Sequence, residues 1–492
     1  MSEYQYVAFR AIDGPVSESN LRYMETLAAI LVLTLGVSNA QAELRDDVLS
    51  AARKAATFYS EQVATEGGYL WAYSGDLKLS EGEGKVVTRT AWVQPPGTPA
   101  MGEAYVRLYE ATGDDVFLQA ALQAAEVLRS GQLRSGGWTD RVEFEPAARK
   151  AHAYRLDPPG KKNQRNNSSL DDDKTQSALR FLIALDRATK FKNQQVHEPA
   201  TFALNALLAA QYPNGGFPQG WEQPYDSAEH PVLPASYPKA WPREYPGHQN
   251  YWFRYTLNDD LLPALLAMLY QAGDVYRDPK FAASARRVGD FLILAQLPEP
   301  QPAWAQQYNF EMQPAWARKF EPPAITGGES QGALRSLLLV YRRTGNAKYL
   351  EPIPRALAYL KKSVLRDGRL ARFYELETNR PLYFTRDYQL TYDDAGSPTH
   401  YSFRVASQLT AIEREYEAIK KAGPDRSAPP NQKPPSAALA RRAQEIVAAL
   451  DERGAWVTPG QLRFHKVRGP VIDMRTAVDN FTTLADYLSA TK

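Results

Sequence analysis

The sequence predicts a mainly α-helical fold, an α/α toroid-like bundle of helical hairpins with long coil loops and short β segments over a groove. Three observations predict it. Apolar residues recur at helical spacing in 118–130, 178–190, 200–211, 261–273 and 333–345. Short turns carrying one apolar residue recur along the chain: Gly67-Gly68-Tyr69, Gly136-Gly137-Trp138, Gly215-Gly216-Phe217, Pro302-Ala303-Trp304, Gly368-Arg369-Leu370 and Gly454-Ala455-Trp456. Their spacing is roughly 65–90 residues, two helices plus loops each time, as in stacked helical hairpins whose turns open on one face. Finally, 44% hydrophobic residues in 492 supply enough apolar surface for one large repeat-built core.

Taken in order, the elements start with an apolar run in 27–42 that ends at Ala40-Gln41-Ala42. This reads as a signal peptide, too short to span a bilayer comfortably, with Glu43 as the first mature residue. Residues 1–42 are thus an upstream extension plus signal peptide, and 43–492 a single catalytic domain. The protein is expected to be secreted or periplasmic, free of the membrane after processing and monomeric. Hairpins follow, with Gly-Asp or Gly-Asn after several helices as stop signals. Two stretches break the rhythm. Residues 212–257 are dense in Pro and aromatics, and a loop of that length in a compact protein is usually functional. Residues 422–438 are a Pro-rich linker, after which 439–492 read as the last hairpin.

Composition removes several chemistries. There is no Cys, hence no thiolate nucleophile and no Cys-ligated metal, and a net charge of +2 gives no case for nucleic acid. With 28 Tyr and 9 Trp, an aromatic-lined groove stands beside the plainer reading of aromatic core packing.

Three clusters carry candidate chemistry. In LDDDKTQSALRFL, Asp171, Asp172 and Asp173 precede an apolar helix. In TLNDDLLPALLAM, Asn258, Asp259 and Asp260 do the same. Acidic residues at a helix start can cap free N–H groups or, when crowded, hold a hard divalent cation. Two such starts opening on one face, with oxygen donors only, favour a Ca²⁺-type site. The third cluster is cationic: Arg318 and Lys319 in QPAWARKFEPPAITGGES, then Arg372, Arg380 and Arg386 in GRLARFYELETNRPLYFTRD. Guanidinium groups grip carboxylates in a two-pronged manner. Aromatics, a cation site and several arginines together fit an acidic polysaccharide, and export fits a polymer that cannot enter a cell.

The segments LDDDKTQSALRFL, QYPNGGFPQ, TLNDD, WARKFEPPAI and RFYELETNRPLYFTRD, in this order, resemble the family 10 polysaccharide lyases, the pectate lyases. The similarity runs over roughly residues 45–492. It implies a toroid-like helical fold and Ca²⁺-assisted β-elimination of polygalacturonate to 4,5-unsaturated oligogalacturonates. It also implies that Asp171 and Asp259 serve the metal, that Arg318 is the catalytic base, and that Lys319, Arg372 and Arg386 bind substrate. DDD replaces the family's Asp-Asn-Gly type pattern, which leaves open which of Asp171, Asp172 and Asp173 does the work. Metal-independent chemistry on another uronate, such as alginate or glucuronan, is a variant of the same reading. Two other functions compete: an inverting hydrolase using a pair such as Asp173 and Asp260, and a non-catalytic polysaccharide-binding protein.

Overall fold

The computed structural model describes residues 41–492 except 87, 161–162, 226–229 and 425–435. The apolar run of the expected signal peptide lies outside the described residues, apart from its last two positions, and so does most of the Pro-rich linker. Among the described residues, thirteen helices make up the body: α1 (41–58, ending in a wider turn Tyr59–Val63), α2 (Thr98–Thr112), α3 (Asp115–Ser130), the short α4 (Pro146–Arg149), α5 (Lys174–Ala188), α6 (Gln194–Ala209), α7 (Leu261–Tyr276), α8 (Pro279–Ala295), α9 (Gly327–Thr344), α10 (Ile353–Lys362), α11 (Leu409–Ala422), α12 (Ala437–Ala448) and α13 (Met474–Ala490). All five periodic segments of the sequence fall on helices. Among the described residues, no helix is long and apolar enough to cross a membrane.

Six of these helices form an inner row, packed in the order α13, α2, α5, α7, α9, α11. Helices α3, α6, α8, α10 and α12 pack behind them. The fold is that of an α/α toroid whose row of inner helices is not closed into a barrel by the extensive α11–α13 contact found between the other neighbours. The six turns seen in the sequence each lead from a back helix towards an inner one. They end in side chains of the core: Trp138 and Trp304 are fully buried, and Trp456 almost so. Each Trp also ties its turn to the helix before it, Nε1 donating to the carbonyls of Leu128 (2.7 Å), Leu292 (2.8 Å) and Ile446 (3.0 Å) respectively. Truncating any one of them to Ala is expected to cost about 3–5 kcal/mol.

A glutamine repeats in the same way. Gln132, Gln211 and Gln296, all buried, donate both to their own turn and to the back helix of the next hairpin, at the carbonyls of Pro199, Ser284 and Pro352. An arginine from the next unit caps each of them: Arg155, Arg287 and Arg355 donate to the three amide oxygens. Buried amides satisfied on both ends link the hairpins without leaving a polar group unpaired.

The segments that enter the inner helices are in register as well. The N–H groups of Trp92, Ser169, Thr256 and Thr326 donate to the carbonyls of Tyr69, Trp138, Phe217 and Trp304. One residue later, Val93, Leu170, Leu257 and Gly327 donate to Asp140, Gln219, Gln306 and Arg372 of the following hairpin, at 2.7–3.1 Å. Each entry strand is therefore held between its own turn and the next one. Gln94, Asp171, Asn258 and Gly328 occupy one structural position, and Pro95, Asp172, Asp259 and Glu329 the next. Four inner helices begin side by side, and the groove lies over their N-termini.

Candidate active site

Several helices of this protein are capped in the ordinary way. Asp114, Asn193, Asp278 and Asp473 each accept a hydrogen bond from a backbone N–H in the first turn of α3, α6, α8 and α13. The two acidic starts do not follow this pattern. Asp173 and Asp260, the residues that precede α5 and α7, make no side-chain cap bond. Both starts take two consecutive left-handed residues, Asp172 (φ 48°) with Asp173 (φ 61°) and Asp259 (φ 49°) with Asp260 (φ 54°). Asp tolerates this conformation better than most residues, at a cost that persists where surrounding structure imposes it. Asp172 and Asp259, the first left-handed residue of each start, bring their carboxylates close to each other.

Carboxylate oxygens of Asp171, Asp172 and Asp259 all lie within 4.8 Å of one another. Two oxygens on a single Ca²⁺ at ~2.4 Å stand at most about 4.8 Å apart, so the three carboxylates have the spacing of a candidate cation site. Every donor is a carboxylate oxygen, which suits a hard cation and not a thiolate- or imidazole-preferring one. The cluster carries the electrostatic mark of like charges in a confined place. Burial, with Asp171 and Asp172 beside it, raises the Asp259 carboxyl to about 7, although Arg318 pulls the other way. Burial and Asp171 also raise Asp172.

The third aspartate of the first motif has another task. Arg180, two turns into α5, grips both oxygens of Asp173 at 2.8 and 2.5 Å. Asp171 and Asp172 are thus the members of DDD that face the groove. Neighbouring hairpins and the helix itself steady them: Gln219 Nε2 donates to Asp171 at 2.5 Å and Gln94 Nε2 to Asp172 at 3.0 Å, while Lys174 Nζ of α5 donates to Asp171 at 3.1 Å. Burial by itself would lower the Lys174 ammonium, but Asp171 and Asp172 outweigh it and raise it.

Arg318 arrives from the coil before α9. Its Nη2 lies 3.8 Å from Asp259 Oδ2. Glu321, three residues on and buried, accepts from Arg318 Nε at 2.8 Å, from Nη2 at 2.5 Å and from the backbone N–H at 3.0 Å. Burial acts to lower this guanidinium and Glu321 more than reverses it, so Arg318 holds its proton more tightly than a free arginine. Tyr401 joins the two arginines: its hydroxyl donates to Glu321 at 3.0 Å and accepts from Arg372 Nη1 at 3.4 Å. The Arg372 guanidinium lies 4.6 Å from the Tyr401 ring centre, with Nη1 3.7 Å from Glu329.

Of the residues singled out in the sequence, Asp171, Asp259, Arg318 and Arg372 come together at the inner-helix N-termini. Lys319 points instead over the ring of Tyr388, with Nζ 3.6 Å from its centre. Arg386 is exposed on the Thr385–Tyr388 turn beyond the strand Pro381–Phe384 and makes no contact with the acidic cluster among the described residues. Arg380 lies over Tyr392. Sequence reasoning missed Gln94, Gln219, Glu321, Glu329 and Tyr401. Gln219 sits inside QYPNGGFPQ, and Glu321 follows Arg318 at the spacing of a local pair, so both had a signal. Gln94 and Tyr401 are far from their partners in sequence and had none.

The long loop supplies a wall. Trp241 and Tyr245 pack edge-on against Trp316, and Arg243 pairs with Glu375 at 2.5 Å. Burial raises the Tyr251 hydroxyl to about 12, while Arg318 draws it down and Asp171 pushes it up, so this ring borders the site. The aromatic content thus divides: most large rings are core, and the loop's rings line one side of the groove.

The family model for pectic acid lyase matches residues 132–232, which contain the DDD motif and QYPNGGFPQ. That stretch is similar to pectic acid lyases, in agreement with the resemblance seen in the sequence. No curated protein matches the chain. Among solved structures, a point mutant of a family 10 polysaccharide lyase from Cellvibrio cellulosa, in complex with trigalacturonic acid, shares 20% identity at a TM-score of 0.44, over 66% of this chain and 98% of that one. A D-mannose isomerase shares 14% at 0.44, over 90% and 97%. A glycoside hydrolase family 76 mannosidase from Bacteroides thetaiotaomicron shares 10% at 0.42, over 91% and 97%.

Proposed function

We propose, on the premise that residues 132–232 are similar to pectic acid lyases, that this protein cleaves polygalacturonate by β-elimination to 4,5-unsaturated oligogalacturonates. The reading extends to 43–492 as one catalytic unit, exported and monomeric. The observation that carries it is the convergence of Asp171, Asp172 and Asp259 at the spacing of a candidate cation site, with Arg318 beside Asp259.

The chemistry needs two things. The C5 proton of a uronate is weakly acidic, and the charge that develops as it leaves must be stabilised. A Ca²⁺ held by Asp171, Asp172 and Asp259 would supply positive charge at the uronate carboxylate. Arg318 is the catalytic residue of this reading. Glu321 fixes its planar fork, and a donor fixed in advance costs no reorganisation during reaction. With its proton held this firmly, Arg318 serves best as a charged donor to the developing negative charge. Hydroxide or water then accepts the C5 proton as the C4–oxygen bond breaks. Arg372, steadied by Tyr401 and Ser402, binds a substrate carboxylate. Lys319 and Arg386, on and beside the Tyr388 turn, would meet the polymer further along.

The rival hydrolase lacks its pair, since Arg180 occupies both oxygens of Asp173. Ultraviolet absorbance of unsaturated products decides the matter, followed on polygalacturonate with Ca²⁺ and then with chelator. Growth that stops on chelation is the expected result. New reducing ends without absorbance would indicate hydrolysis, and binding without turnover a carbohydrate-binding protein. Alginate and glucuronan tested in parallel reveal which uronate is preferred.

A further inference from the structure

A cavity of about 410 Å³ opens beside Asp259, and neither Asp171 nor Asp172 lines it. It lies among the N-termini of α7, α9 and α11, within the ~300–1,000 Å³ range of ligand pockets. Two glycines one helical turn apart on α9, Gly328 and Gly332, leave its floor bare. A Cβ on Gly328 would meet only Val405, at 3.9 Å.

The charged groups that line the cavity are only partly spent on each other: Arg372 Nη1 lies 3.7 Å from Glu329 Oε1, while the other Glu329 oxygen and Arg335 stay unmatched. Glu329 is buried, yet its Oε2 has no hydrogen-bond partner among the described residues. A carboxylate oxygen left unpaired in such a place is costly unless a donor arrives. Arg335, one turn beyond Gly332, also lines the cavity and is exposed, with no ion pair among the described residues. Arg372 completes the cationic side and Asp260 the anionic one.

The register of the hairpins gives this arrangement its meaning. Glu329 stands where Asp172 and Asp259 stand in the preceding units, and Arg372 where Gln219 stands. The cavity is thus the next unit of the same groove, rebuilt with a guanidinium in place of an amide. A simple anion would be repelled by Glu329 and Asp260. A neutral sugar would leave Arg335 without a counter-charge. A sugar acid offers hydroxyl donors to the carboxylates and a carboxylate to the guanidiniums.

We propose that this cavity is a further polymer subsite, taking the uronate unit next to the one held at Asp259, with Arg335 as its carboxylate contact. The assignment rests on the polyuronate reading above. It makes Arg335 a determinant of specificity for charged over neutral chains and leaves the elimination step to the residues around Asp259.

The test is equilibrium binding by calorimetry, in the Arg318→Ala background to prevent turnover. Trigalacturonate is titrated in the presence of Ca²⁺, with maltotriose as the neutral control. Adding Arg335→Gln is expected to weaken trigalacturonate binding by about tenfold, the loss of one charge-assisted contact. Arg335→Lys should recover part of it. Gly328→Met, which fills the open floor, should weaken binding by a similar factor while the melting temperature stays within a few degrees of the parent's. If Arg335→Gln and Gly328→Met both bind trigalacturonate as the parent does, the subsite is wrong although the lyase reading stands. A parent that binds no oligogalacturonate at all overturns the polyuronate reading itself.

Discussion

The turns that open α5 and α7 share a backbone and differ in how their charges are balanced. Both run through two left-handed residues into a helix, and in both a backbone N–H is held by a hydroxyl two residues back, Ser169 and Thr256. The α5 turn brings its own cations. Lys174 and Arg180 lie on the same helix and hold Asp171 and Asp173. The α7 turn has Leu261 and Ala267 at those positions, so nothing local answers Asp259. Its balancing charge comes from outside, from Arg318 on a distant coil, and a cation held by the cluster would add to it. One turn is partly balanced by its own helix, and the other depends on distant parts of the chain for its counter-charge.

The largest test of that contrast removes the outside cation. Arg318→Ala is expected to lower kcat by about 10²–10³-fold, as for loss of one donor to a developing negative charge, with KM changed far less. Near-normal turnover would make Arg318 an ordinary carboxylate contact.

Next is the metal. Asp259→Asn should raise the Ca²⁺ concentration for half-maximal activity by at least the ~10–100-fold that losing an outer partner of a metal site costs. Unchanged calcium dependence would return Asp259 to a purely structural role.

A smaller effect is expected in the chelated protein. The folded Asp259 carboxyl, raised to about 7, keeps its proton to a higher pH than the unfolded chain does. The unfolded state therefore binds fewer protons, and the metal-free fold loses stability as pH rises from about 4 to 7. Asp259→Asn should flatten this slope and stabilise the metal-free protein at pH 8 by on the order of 1–2 kcal/mol, read from urea melts. A steeper slope in the variant would place the shift elsewhere.

The smallest change is on the α5 side. Asp173→Asn gives up the ionic part of its pair with Arg180, costing about 1 kcal/mol of stability, with kcat within about twofold. A large loss of kcat would mean that Asp173 takes part in the chemistry and would revive the hydrolase pair.

The hairpins themselves were legible from the sequence because their signals are local. Apolar spacing marked the helices, and each Gly- or Pro-rich turn with its apolar residue marked a junction. The two acidic starts were legible for the same reason, as contiguous runs. Their role was not. A run of Asp before a helix reads equally as a cap or as a ligand set. Only the left-handed backbone at 172–173 and 259–260, with no cap bond made, separates the two.

The rest depended on which hairpins lie side by side. Nothing in the chain order places Gln94 on Asp172, Gln219 on Asp171, or Tyr401 between Arg318 and Arg372. Nor does it show that Arg386 stays out on its turn while Arg372 enters the groove. Sequence periodicity by itself determined the helices, their turns and the pool of charged residues available. The tertiary structure decided which charges meet, because carboxylates and guanidiniums interact through space over a few ångströms, and the register between hairpins sets those distances.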